Sequence, residues 1–195
     1  MSTDHTLYAP WGVVTPHFWR EADATTGLAA PAAVTPAPGA KAQAEIPAPP
    51  AEYQPRIAAV TDAFAPPVDA QRLASANLEA EKLDEEFTAS YGASHSYTIQ
   101  VRELRGWIAH LMNQPAVAAR WYLHTTGLQM QVWGVAHAFT RDSADRAVQH
   151  WRGVTDSVER RSLATELLPM LATITGDNSE VYRTVRKIAA PRADG

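Results

Sequence analysis

Pro115 divides two helical periods, and that division limits the possible folds more than any other feature of the chain. Before it, Val101, Leu104, Ile108 and Leu111 recur at three- and four-residue steps, which place them on one face of an α-helix. Arg102, Glu103 and Arg105 fall on the other face. Proline has no amide donor and biases the residue before it away from helical angles, so Pro115 suits the first turn of a new helix. Val117, Ala118, Trp121, Tyr122, Thr125 and Leu128 then form a second apolar stripe. The break Met112-Asn113-Gln114 is short, which predicts two antiparallel helices packed side by side.

Gly106 and Ala118 lie on the packed faces of these two arms, and both are small. Glycine inside a helix costs about 1 kcal/mol relative to alanine, so Gly106 is expected to serve close packing. Trp107, Trp121 and Tyr122 are available to fill the flanking space. The order Gly106, Ala118, Tyr122 resembles the small-residue and aromatic positions of the tetratricopeptide repeat (TPR). The segment Tyr91-Gly92-Ala93-Ser94-His95-Ser96-Tyr97-Thr98-Ile99 is similar to kinesin-light-chain-type repeats and the actinobacterial proteins built like them. Ser96, Arg105 and Asn113 depart from that pattern, which favours Pro, Leu and Gly there. The resemblance covers residues 70–153. It implies a curved array with a groove that binds peptides or protein segments, and Arg102, Arg105, His110 and Gln131 are the candidate lining residues.

The chain has 195 residues, 14 prolines and no cysteine. Without cysteine there is no disulfide, thiol nucleophile or Cys-based zinc site. A formal charge of -4 argues against a nucleic-acid binder held by phosphate contacts. No apolar run reaches the roughly 18 residues of a membrane helix, and the start lacks the pattern of a secretory signal. A cytoplasmic protein without membrane insertion is the expectation, and the Ala- and Pro-rich usage suggests a bacterial source.

Residues 1–28 carry Tyr8, Trp11, Phe18 and Trp19 without any helical or alternating period. They read as a motif that docks into a partner, a segment that folds back on the domain, or an ordinary disordered end. Residues 29–54 form a Pro/Ala-rich linker expected to sample extended, polyproline-like conformations. The P-x-x-P spacing from Pro47 to Pro50 fits an SH3-like groove or arises by chance in such a tract.

From residue 55 helical patterns return. A short helix over Ile57, Val60, Ala63 and Phe64 should end at Pro66-Pro67. Asp69 should cap a long helix with the stripe Leu73, Ala76, Ala80, Leu83 and Phe87, its glutamates forming a solvated face. Gly134, Ala147 and Trp151 echo Gly106, Ala118 and Tyr122 at an offset of 28–29 residues, a worn repeat or a coincidence. Asp142-Ser143 reads as a helix cap, as do Asp156 with Glu159 and Asp177 with Glu180. Pro169 should kink or split its helix after Leu168. Arg183, Arg186, Lys187 and Arg192 make the last helix basic near its C-terminus, where cations are favourable. Residues 191–195 are expected to be a disordered tail.

His110, His124, His137 and His150 lie 13 or 14 residues apart, unlike the three- and four-residue steps of helical zinc ligands. No nucleophile elbow, phosphate-binding glycine loop or dinucleotide fingerprint is present. The expected architecture is all-α: six or seven antiparallel helices over 55–190, stacked as a short TPR-like array, with strands essentially absent. The expected function is a non-enzymatic adaptor that binds a protein or peptide, without cofactor or metal. The alternatives are a structural homo-oligomer whose N-terminal segment docks into a neighbour, and a regulatory peptide sensor.

Overall fold

A computed structural model describes residues 48–190 and the backbone of Tyr8–Ala9 and Gly12–Val13. Among the described residues there are seven α-helices: α1 (Gln54–Asp62), α2 (Ala70–Tyr91), α3 (Ser96–Leu111), α4 (Pro115–Trp133), α5 (Ala138–Arg152), α6 (Ser157–Thr175) and α7 (Glu180–Ala189). The only described strands are β1 (Tyr8–Ala9) and β2 (Gly12–Val13), paired antiparallel with Tyr8 opposite Val13. The side chains of Tyr8, Trp11, Phe18 and Trp19, most of the linker and the 191–195 tail lie outside the described residues.

The expected hairpin is present, and Pro115 opens α4. Gly106 lies against the neighbouring helix, as close packing requires. A Cβ placed there would stand 3.0 Å from Cε2 of Tyr122 and 3.2 Å from Cβ of Trp121. Ala118 and Tyr122 are wholly buried, whereas Val117 is exposed. Asp69 caps α2 through the Arg72 amide, and every residue of the α2 stripe is buried.

Four local expectations are corrected. Gly134 is not a packing glycine like Gly106: it ends α4 at φ +86°, with open space where a Cβ would be. Asp142-Ser143 lies inside α5, whose cap is His137. Ser179, not Asp177, caps α7 by accepting from the Tyr182 amide. Pro169 does not split α6, which runs unbroken from Ser157 to Thr175. Leu167 and Leu171 anchor the helix on both sides of it, and the carbonyl it leaves unpaired belongs to exposed Thr165, where water can reach it.

The repeat in the structure has another period. Gly92, Gly134 and Gly176 end α2, α4 and α6 at φ +93°, +86° and +85°, 42 residues apart (134 − 92 and 176 − 134). With ψ of 160°, 165° and 150° they occupy a region essentially closed to other residues. Each glycine carbonyl accepts from the amide three residues on, at His95, His137 and Ser179. Those residues cap α3, α5 and α7. The first two turns share more. Thr98 and Thr140 donate back to the carbonyls of Gly92 and Gly134 at 2.8 and 2.9 Å. His95 stacks on Tyr91 and His137 on Trp133. The described array is therefore α1 followed by three helix pairs, α2–α3, α4–α5 and α6–α7.

Two apolar cores result. One lies among α1, α2 and α3, around Leu73, Leu83, Phe87 and Leu104. The other lies among α4 to α7, around Trp151, Leu163, Leu167 and Leu171. Each pair of helices buries a face that it cannot hide alone.

Candidate functional site

Helix α3 stands where the two cores meet, and it is covered on more than one side. Thr98, Gln100, Glu103 and Gly106 are buried along with Val101, Leu104 and Ile108 of its apolar stripe. Polar side chains that a single-helix reading assigns to solvent therefore enter the interior.

Toward α2 the seam centres on Asp84, one residue after the buried Leu83 and itself buried. Arg102 Nε donates to its Oδ1 and Arg105 Nη1 to its Oδ2, both at 2.8 Å. Arg102 also reaches Thr88 Oγ1 at 3.0 Å and lies 3.1 Å from Nε2 of His124. The Arg105 guanidinium lies 4.2 Å from the Trp121 ring centroid and pairs with Glu81 at 3.3 Å. A buried carboxylate must be paired, and these two arginines pair it. Arg102 and Arg105 are thus structural ions of the α2–α3 contact, which corrects their assignment as outward-facing groove residues.

Toward α4 and α5 the seam centres on Glu103. Gln129 Nε2 donates to its Oε1 at 2.9 Å, and Arg146 Nη1 lies 3.9 Å away. Burial pushes the Glu103 carboxyl up to about 7, against the opposing pull of Arg146, Gln129 and Ser143. The Tyr122 hydroxyl and Gln129 Oε1 are buried here without a hydrogen-bond partner. Burial also raises the Tyr122 hydroxyl. His150 stacks on Tyr122 at 5.2 Å, and burial, helped by His110 and Arg146, pushes its imidazole down to about 4. Thr125, Ser143 and the Tyr122 carbonyl complete the α4–α5 contact.

The acidic face of α2 is also partly used within the fold, since Arg56 binds both Glu79 and Glu86. Between α1 and α2 lies an open cleft of about 650 Å³, floored by Ala59, Val60, Ala63 and Ala76.

Of the candidate groove residues, His110 and Gln131 remain exposed. They do not form one patch. Helices α3 and α4 run antiparallel, as the pairs Gly106–Tyr122 and Glu103–Gln129 show, so the two residues sit at opposite ends of the hairpin. Of the four regularly spaced histidines only His110 and His150 meet, with ring centroids 4.8 Å apart. No group of three or more His, Asp or Glu among the described residues is placed to hold a metal. No described helix is long and apolar enough to cross a membrane.

Asp84, Glu103, Gln129 and Arg146 escaped the sequence reading. Asp84 carried a usable signal, because it borders the α2 stripe; the others carried none that distinguishes a buried polar group from a solvated one. The geometry defines an all-α array of helix pairs with a charged interior seam. The chain matches no family model, no curated protein and no solved structure.

Proposed function

We propose that the protein is a non-enzymatic, cytoplasmic bacterial scaffold of TPR-like character that binds another protein or peptide. The observation that carries this reading is the helix-pair frame recurring every 42 residues at Gly92, Gly134 and Gly176. Stacked helix pairs present extended surfaces to partners while they bury their apolar faces against one another. The spacing is longer than the 34 residues of a regular TPR, so the likeness is one of architecture. In this reading contacts are made at two separate exposed ends of the α3–α4 hairpin, one near His110 and one near Gln131, with the segment carrying Tyr8, Trp11, Phe18 and Trp19 as a further contact.

The test is affinity capture with the full chain, followed by the exposed substitutions His110→Asp and Gln131→Lys. Neither residue is part of a core, so each variant should fold. A single protein recovered by the parent and lost from at least one variant supports the reading. Equal recovery by the parent and both variants overturns these contacts.

A further inference from the structure

Ala48-Pro49-Pro50 precedes α1 and is seated on the first helix-pair turn. The Tyr97 hydroxyl donates to the Ala48 carbonyl at 3.0 Å. Gln54 Nε2 donates to the Pro49 carbonyl at 3.0 Å, and the Tyr53 amide to the Pro50 carbonyl at 2.9 Å. Pro49 is buried although the residue before it is exposed. Tyr53 and Tyr97, which hold the tripeptide, belong to a continuous set of rings with Phe87 and Tyr91. Tyr53 meets Phe87 edge-on at 4.6 Å, and Tyr91 meets Phe87 and Tyr97 edge-on at 5.8 and 5.4 Å.

The second turn separates what the turn needs from what the tripeptide needs. Trp133, His137 and Phe139 reproduce the ring arrangement of Tyr91, His95 and Tyr97. Thr140 makes the same back-bond as Thr98. Phe139, however, has no hydroxyl. The frame forms without one, and the hydrogen bond made by the Tyr97 hydroxyl goes to the Ala48 carbonyl.

Extended proline segments offer rings and free carbonyls and have little chain entropy left to lose. Aromatic ledges with hydroxyl or N–H donors are the surfaces that recognise them. We propose that Tyr53, Phe87, Tyr91 and Tyr97 form a recognition site for extended proline-containing peptides, held closed by the chain's own Ala48-Pro49-Pro50. The site is separate from the contacts near His110 and Gln131, and it stands or falls independently of the scaffold reading.

The probe is a fluorescent peptide with the sequence of residues 44–51, AEIPAPPA, titrated against the full chain by anisotropy. The parent should bind it weakly. The variant Pro49→Ala with Pro50→Ala, which loosens the internal occupant, should bind at least ten-fold more tightly. Adding Tyr97→Phe should remove that gain. A folded double variant that binds no better than the parent, or binding indifferent to Tyr97→Phe, overturns the proposal and leaves the tripeptide as an end cap only. Should the double variant not fold, Tyr97→Phe alone decides, because Phe139 shows that the turn accepts phenylalanine. The Tyr53 amide, bonded to the Pro50 carbonyl, should then exchange at least ten-fold faster, and unchanged protection counts against the site.

Discussion

The two acids that flank α3 receive different treatment. Asp84 has two guanidinium groups at 2.8 Å, one for each oxygen. Glu103 has the Gln129 amide at 2.9 Å, the pull of Ser143, and the Arg146 guanidinium at 3.9 Å. Both acids are buried, yet only Glu103 lies where the two apolar cores approach across α3 and α4. For Glu103, burial outweighs the pull of its donors and pushes the carboxyl toward its neutral form.

The largest effect should come from breaking the well-paired side. Asp84→Asn leaves two mostly buried arginines without their shared anion. The expected loss is about 3–5 kcal/mol, or a melting temperature lower by on the order of 10 °C. A small change in thermal unfolding would mean that the arginines find other partners and that the two sides are less different than they look.

The shared turn frame comes next. Gly134→Ala meets no atom within 4 Å, so its cost is that of the backbone, about 2–3 kcal/mol. If chemical denaturation shows a negligible loss, the glycine turns are not what fixes the repeat.

On the Glu103 side the prediction concerns pH. A carboxyl raised in the folded state favours folding below its unfolded value and loses that contribution as pH rises toward about 7. The lowered His150 has the opposite effect, adding stability as pH rises from about 4 to its unfolded value near 6.5. The two slopes oppose each other between pH 5 and 6.5, so this pair should leave the parent's unfolding free energy nearly flat there. Glu103→Gln removes one slope, and the variant should gain about 2 kcal/mol across that window. His150→Phe should show the reverse trend. Parallel profiles for all three proteins would contradict the assignment.

The smallest effect is expected where the seam is tightest. Gly106→Ala gains about 1 kcal/mol of helix propensity but pushes a methyl group against Tyr122. Overpacking costs about 1–3 kcal/mol, so a net loss of about 1 kcal/mol should appear in denaturant unfolding. Stabilisation would mean that the Tyr122 ring can shift.

The helices were legible because apolar spacing and caps agree, as at the α2 stripe with Asp69 and at Pro115 opening α4. The close contact at Gly106 was legible because an interior glycine is costly without a reason. The repeat was not. Its marks, Gly92 with His95 and Gly134 with His137, lie in short polar connections, whereas the Gly–Ala–aromatic spacing runs through the helices. The seam was hidden for a related reason. A helical wheel gives α3 one buried face, but a helix packed against α2 on one side and α4 on another has little solvent face left. Arg102, Glu103 and Arg105 therefore became interior polar groups.

The central claim is that the burial of Glu103 outweighs the pull of Arg146, Gln129 and Ser143 on its carboxyl. A carbon-13 NMR titration of the glutamate carboxyl groups, with Glu103→Gln to assign the signal, measures this directly. A midpoint near 7 for Glu103 is the predicted result. A midpoint at the ordinary glutamate value of about 4.3 would contradict it.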